Sequence, residues 1–392
     1  MNSFTYLIPT KVIFGNDAMS KLGEQLLASN ATKVLVLYGG GSVIKNGILA
    51  QATKALIDNK IAYVELGGVQ PNPILSLVRE GKELCIKEKV DFILSVGGGS
   101  TIDTAKAISL AVGNPTDDVW DYFCGKGAPK AAIPNGCVLT IAAAGSETSD
   151  SAVITNADTK EKRGMNSDLF RCTFAILNPE FTYTLPKFQV TCGIVDILMH
   201  TFDRYFSKDM DNETSDQIAE GLIRTVLQYG KQLAENPSDA KAASEIMWCG
   251  SLSHNGITGL GNIKDFSPHR LGRDISGLYD SAHGATLSVA WVGFANYTVA
   301  SQTPRFARFG RNIFGLTGND EQVAKEAIAK MTEFYASIDM PITLTELLGH
   351  PVTDEEIAEI SLAVCQQDKN ATFGTFFQFT YDDVVKLFTS VR

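Results

Sequence analysis

The sequence predicts two domains of different class: a parallel-sheet α/β domain over residues 1–185, followed by an all-helical domain over residues 186–392. Three observations predict it. The chain has 392 residues, more than a single hydrophobic core usually serves. Its first half alternates short apolar runs with amphipathic stretches. Past about Leu185 the strand-like runs stop, and only long amphipathic stretches follow.

Taken in order, Val34–Tyr38 (VLVLY) is a β-branched apolar run ending in Gly39-Gly40-Gly41. Ile61–Leu66 ends in Gly67-Gly68, and Phe92–Val96 (FILSV) ends in Gly97-Gly98-Gly99. Helical patterns over Ile44–Asp58 and Ile74–Glu88 separate these runs. Continuous apolar strands joined through helices imply a parallel sheet covered on both faces. Such sheets take their ligands beyond the carboxyl ends of the strands, where all three glycine clusters fall. In the second half, helices are predicted over Gln189–Phe206, Asn212–Glu235, Ala240–Thr258, Asp320–Ile338 and Asp354–Gln366, with Pro186 at the transition.

Composition narrows the function. Hydrophobic residues make up 44% and charged residues 20%, ordinary for a globular chain and against disorder. A net charge of −10 with no Lys/Arg cluster argues against a nucleic-acid partner. The seven cysteines are scattered singly, without a CxxC pair, as expected of reduced thiols in a cytoplasmic protein. Met1–Thr10 carries no basic segment followed by an apolar one, so no signal peptide is expected. No apolar run reaches the roughly 18 residues of a spanning helix, so no membrane partner is expected either.

Gly97-Gly98-Gly99-Ser100 stands between a strand and the helical stretch from Thr101. A turn of this kind aims free backbone N–H groups and a helix dipole at an anion, and pyrophosphate suits it. It is not a G-x-G-x-x-G fingerprint, and a tight turn alone also accounts for it. At the end of the first strand, NAD-selective enzymes carry an acidic residue for the ribose hydroxyls. Here stand Gly39, Gly40, Gly41 and Ser42, with Lys45 nearby, a combination that tolerates or favours the phosphate of NADP(H). The segment Thr140–Thr148 is small and polar and could line a phosphate or ribose.

Only five histidines occur. Asp196 and His200 are four apart in a helical pattern and share one face. His269 and His283 follow, 14 apart, and Gly284 after the second would let the chain turn closely. One carboxylate and three imidazoles make a plausible metal shell with an open position for a substrate oxygen. Taken alone, such an Asp–His pair is more often a packed or surface pair, so spacing leaves the choice open. His254 reads as a packed or capped helix residue, and His350 as an exposed loop residue.

With these pieces in order, the chain resembles the iron-containing (group III) alcohol dehydrogenase family, in its butanol dehydrogenase and NADPH-dependent aldehyde reductase branch. The pieces are GGGSV at 39–43, QPNP at 70–73, GGGSTIDTAK at 97–106, GSE at 145–147, NP at 178–179, Asp196-x3-His200 and the two later histidines. The likeness runs from Val12 to the last helices. It implies a Rossmann-like N-terminal domain and an all-helical C-terminal domain, as in dehydroquinate synthase-like folds. It assigns one divalent metal, Fe²⁺ or Zn²⁺, to Asp196, His200, His269 and His283, which then carry catalysis. It assigns the dinucleotide to Gly39, Gly40, Gly41, Ser42, Asn72, Gly98, Gly99, Ser100, Asp103, Thr140 and Lys162, with NADP(H) favoured over NAD(H). The implied reaction is hydride transfer between NADP(H) and a small primary alcohol or aldehyde such as butanol or butanal, in a homodimer.

Two departures stand out. Many relatives carry a histidine four residues after the third ligand, as a proton relay, where this chain has Arg273. Arginine stays protonated and cannot relay a proton, although it could hold an anionic group. Relatives commonly carry threonine where this chain has Ala144. The competing readings are an NAD- and metal-dependent lyase of dehydroquinate synthase type, and a catalytically impaired nucleotide- or metal-binding relative. The lyase would need several basic groups for a phosphorylated, carboxylated substrate, and residues 190–290 offer few.

Overall fold

In the computed structural model the described residues are 1–208 and 210–392. They divide into two compact units: Leu7–Thr184, and Met1–Tyr6 together with Leu185–Arg392.

The strands, in chain order, are β1 (Lys11–Phe14), β2 (Lys33–Tyr38), β3 (Ala62–Leu66), β4 (Phe92–Gly97), β5 (Asn135–Leu139), β6 (Ser151–Asn156), β7 (Glu161–Asn166) and β8 (Phe174–Leu177). Six of them form one sheet in the order β1-β8-β5-β4-β2-β3, with every pairing parallel. The helices of this unit are α1 (Leu22–Ala28), α2 (Ser42–Lys45), α3 (Ile48–Asp58), α4 (Leu75–Glu88), α5 (Gly99–Gly113) and α6 (Val119–Phe123). Side chains alternate across a strand, so both faces must find cover. Val34, Val36, Phe92 and Leu94 pack with Leu22 and Leu26 of α1 and with Ala52 and Leu56 of α3. Leu35, Leu37 and Ile93 pack with Val78 of α4, Ile108 of α5 and Phe123 of α6. Cover on both sides is why β2 and β4 read as unbroken apolar runs.

Strand order reverses between β2 and β4, the switch point at which open α/β sheets hold ligands. The register pairs Tyr38 with Val96, so the two glycine loops leave the sheet side by side. The helix expected over Ile44–Asp58 is broken. Gly47, at φ +70°, caps α3 from the left-handed region and separates it from α2. The antiparallel hairpin β6–β7 was outside expectation: it is only half-covered and carries Glu161, Lys162 and Arg163 in place of an apolar run.

The second unit holds α7 (Lys187–Tyr205), α8 (Glu213–Glu235), α9 (Ala240–His254), α10 (Ser267–Tyr279), α11 (His283–Thr298), α12 (Thr303–Phe314), α13 (Asp320–Ser337), α14 (Leu344–Leu348), α15 (Asp354–Val364) and α16 (Tyr381–Ser390). Among the described residues it contains no named strand. Nearly every residue of α7 from Val190 to Tyr205 is buried, which makes it the axis of the unit. Phe202 packs against Trp291 of α11 with ring centroids 5.4 Å apart, and Phe206 against Phe306 of α12 at 4.9 Å. Helix α11 is apolar on all sides and buried, so it has no amphipathic period to betray it in sequence. Deep in the unit, Arg305 pairs with Asp216 at 2.6 Å, both side chains essentially inaccessible. No helix among the described residues is long and apolar enough to cross a membrane.

Candidate metal centre and nucleotide loops

Helix α7 carries Asp196 and His200 one turn apart, α10 carries His269, and His283 is the first residue of α11. The oxygen Asp196 Oδ1 lies 3.5 Å from His200 Nε2, 3.5 Å from His269 Nε2 and 4.0 Å from His283 Nε2. These separations are too long for good hydrogen bonds. They match the edges of a coordination shell: tetrahedral ligands about 2.1 Å from an ion stand about 3.4 Å apart. Asp196 Oδ1 and His269 Nε2 are also buried without a hydrogen-bond partner, a costly state that an ion between them would relieve. Asp196, His200 and His269 form the tight group, their donor atoms within 4.8 Å of one another, and His283 stands slightly outside it. One carboxylate and three imidazoles suit a borderline divalent ion such as Fe²⁺ or Zn²⁺.

Two neighbours tune the group. Asp203, one turn beyond His200, is fully buried and places Oδ2 2.5 Å from His269 Nδ1. The two groups form a close charged contact rather than a hydrogen bond. Burial lowers the proton affinity of His269, but Asp203 first and Asp196 after it outweigh burial and lift its pKa to about 9. Asp203 faces Nδ1 and so turns Nε2 toward Asp196; an ion bound there would take the place of the Nε2 proton while Asp203 kept the one at Nδ1, the arrangement a metal ligand needs. His200 is pushed well below its ordinary value by burial and by its cationic neighbours, so it is neutral and ready to donate a lone pair. Asp203 was not predicted. Residues 196, 200 and 203 recur at helical spacing on one face, and that signal was legible.

One expectation changes. The structural reason for Gly284 is contact and not turning: a Cβ there would fall 2.3 Å from the Cys192 carbonyl oxygen of α7. Its bare backbone lets the start of α11 press onto α7 and bring His283 toward Asp196. His254 is packed as expected, but against a site residue: its ring stacks on His200 at 3.9 Å. Arg273, one turn past His269, forms a two-point contact with the Asp274 side chain at 2.9 and 3.0 Å. His350 is exposed and pairs with Glu356.

In the first unit, the expected nucleotide residues gather at the carboxyl end of the sheet. Gly39, Gly40, Gly41 and Ser42 follow β2, Gly98, Gly99 and Ser100 open α5 after β4, and Thr140 follows β5. The Thr140 N–H donates to Gly97. No side chain caps α5, which leaves its first amides for a ligand. A Cβ at Gly98 would meet Ile141 at 2.2 Å, so packing alone demands glycine there. Nothing in the protein lies within 4 Å of a Cβ at Gly40, so the protein's own packing does not demand glycine there. Lys162 on β7 donates to Asn72 Oδ1 at 2.7 Å and joins two of the expected residues. Asp103 accepts from Ser146 and from the Val153 amide, so it braces the hairpin as well. Beside it Lys106, wholly buried, donates to the carbonyls of Ser146, Ser149 and Ser151 and ties that segment to α5.

Comparison with known proteins places these features in context. The family model described as iron-containing alcohol dehydrogenase matches residues 9–179, and its C-terminal counterpart, for the Fe-containing alcohol dehydrogenase family, matches residues 190–391. NADH-dependent butanol dehydrogenase A of Clostridium acetobutylicum is 36% identical over 392 residues, covering 99% of each chain. NADPH-dependent aldehyde reductase YqhD of Escherichia coli is 34% identical over 349 residues, 88% of this chain and 89% of that one. The crystal structure of NADH-dependent butanol dehydrogenase A from Thermotoga maritima matches with a TM-score of 0.94 at 35% identity, covering 100% of this chain and 99% of that one.

Proposed function

From the premise that this chain belongs to the iron-containing alcohol dehydrogenase family, we infer that it interconverts small primary alcohols and aldehydes, butanol and butanal among them, at one divalent ion. The observation that carries this reading is the spacing of three imidazole Nε2 atoms around one Asp196 oxygen, at 3.5, 3.5 and 4.0 Å. When bound, the ion would polarise the substrate C–O group and lower the pKa of an alcohol, while the nicotinamide carries the hydride. Asp196 is the one anionic donor, so a divalent ion held there keeps net positive charge toward substrate. Asp203 orients His269. Arg273, held by Asp274, takes no part as a proton relay, for which a guanidinium is unsuited.

For the nucleotide we propose NADP(H) ahead of NAD(H). Residues 39–42 offer no acidic side chain against a 2′-phosphate, and Lys45 follows on α2. The relatives divide: the butanol dehydrogenases are named for NADH and the aldehyde reductase for NADPH. Fe²⁺ and Zn²⁺ both suit the donors. A lyase reading is not favoured, because the relatives that match over the whole length are dehydrogenases. On the family resemblance alone we also propose a homodimer, which sedimentation equilibrium tests.

The experiment is oxidation of NADPH by butanal, with NADH in parallel, on chelator-stripped protein before and after Fe²⁺ or Zn²⁺. Turnover restored by metal and faster with NADPH supports both readings, and a preference for NADH refutes the second alone. His269→Ala should lower kcat/KM about a thousandfold, the several kcal/mol a Lewis acid contributes, while nucleotide binding survives. Undiminished activity in that folded variant would refute the metal assignment.

A further inference from the structure

The metal reading, on which this inference rests, leaves one ligand without a holder. His269 is braced at Nδ1 by Asp203. His200 has no counterpart: its Nδ1 is buried without a hydrogen-bond partner. Ligating imidazoles almost always give their second N–H to a carboxylate, a carbonyl or water, because a ring free to turn about χ2 cannot keep its lone pair on the ion. What meets His200 is another ring. His254 lies face to face with it, centroids 3.9 Å apart and planes within 20°. The His269 ring is also close, at 4.3 Å, but tilted by 33°.

The backbone makes the stack a fixed one. His254 is the last residue of α9, and the neighbouring Ser251 and Ser253 are fully buried. The helix stops because Gly256 turns left-handed at φ +98°, and Asn255 Oδ1 accepts from the Ile257 amide to hold that turn. Three residues on, a Cβ at Gly259 would lie 2.6 Å from Arg204 Cβ. The turn after α9 therefore presses directly on α7 one turn past His200. On the α7 side, Arg204 Nη1 donates to the His200 carbonyl. Both rings stand on backbone that cannot shift independently.

We propose that His254 is a positioning residue of the metal centre: its ring face, stacked on His200, fixes the ligand's orientation as Asp203 fixes that of His269. His254 is not a ligand in this scheme and needs no particular protonation state. Any flat aromatic ring at position 254 would serve, whereas a small side chain would leave His200 free to rotate and spread its lone pair over directions that miss the ion.

The test uses the full chain, stripped with chelator and titrated with Co²⁺ alone, read by the visible absorption of the bound ion. Wild type, His254→Ala, His254→Phe and Asp196→Ala are compared, with circular dichroism and melting to establish folding. Expected are a loss of about tenfold in Co²⁺ affinity for His254→Ala, the scale of an outer-shell deletion, an unchanged band shape, and recovery of affinity in His254→Phe. His254→Ala binding as tightly as wild type overturns the proposal. So does His254→Phe binding as weakly as His254→Ala, since the ring face would then not be what matters. A changed band shape in both variants overturns it too, by making His254 a ligand. Asp196→Ala binding Co²⁺ like wild type refutes the metal site itself, an outcome separate from any behaviour of position 254.

Discussion

Lys106→Met would remove the buried cation that holds the segment from Ser146 to Ser151. The ammonium is wholly inaccessible and donates to three carbonyls, Ser146 at 2.7 Å, Ser149 at 3.0 Å and Ser151 at 2.8 Å. Phe170 faces it at 5.5 Å. Methionine keeps the length of the side chain and loses every donor. Charge-assisted bonds of this kind are worth about 1.5–3 kcal/mol each. Relief from burying an ammonium returns several kcal/mol, so a net loss of about 3 kcal/mol remains. For a domain of this size that is a fall in Tm of roughly 6–12 °C. The same segment carries Ser146, the partner of Asp103, so nucleotide affinity should fall as well. Differential scanning calorimetry and a fluorescence titration with NADPH read both effects. A variant melting within about 2 °C of wild type would show that the carbonyls find other donors and that Lys106 is no staple.

Three further outcomes follow from other parts of the molecule. Asp203→Asn should weaken metal binding about 10–100-fold by releasing His269, with little change in the melting of metal-free protein; a chelator competition assay checks it. Gly40→Ala should fold normally, since a Cβ there meets nothing, yet weaken nucleotide binding roughly tenfold if the ligand backbone passes that point; unchanged binding would remove Gly40 from the site. Burial raises the Asp91 carboxyl, but hydrogen bonds from Thr32 and Lys33 outweigh it and hold the pKa below its ordinary value. A group depressed in the folded state contributes stability above its unfolded pKa of about 4 and loses it as pH falls through the folded value. Asp91→Asn should therefore cost about 1–2 kcal/mol near pH 7, and urea melts should show the gap closing below about pH 4.

How much of this was legible depended on whether local pattern or tertiary contact made each feature. β2 and β4 announced themselves because a strand covered on both faces is apolar at nearly every position, the buried Ser95 of β4 giving its hydroxyl to the Gly136 carbonyl. β5, with Asn135 and Gly136 in its five residues, and β8, four residues long, gave too little signal. α11 was invisible because burial all round erases the helical period, and α10 was masked by Pro268 and two internal glycines, although proline is at home in a first helical turn. At the site, Asp196 and His200 were legible as a helix-face pair. His254 was not: it meets His200 only because α9 and its following turn pack on α7, and no spacing along the chain records that. Lys106 was passed over because nothing local distinguishes a lysine on a surface from one enclosed by carbonyls.

The sheet order also has a consequence for how the protein is made. β1 occupies the edge beside β8, and Thr10 reaches across to the carbonyl of Cys172, 162 residues later. A ribosome delivers one partner first and the other last. At about 5–20 residues per second, β1 waits roughly ten to thirty seconds with its amides unsatisfied. Once β5 (Asn135–Leu139) has been made, it too has an open side for the last few seconds of that wait, where β8 (Phe174–Leu177) will insert. The nascent first unit is then an unfinished sheet with two competing vacancies, the condition in which strands pair with the wrong neighbour. Yield during expression should therefore respond to translation speed and chaperone supply more than to mutations on the helical surface. A circular permutant that moves β1 to follow β8 would shorten the wait to a few residues and relieve the dependence.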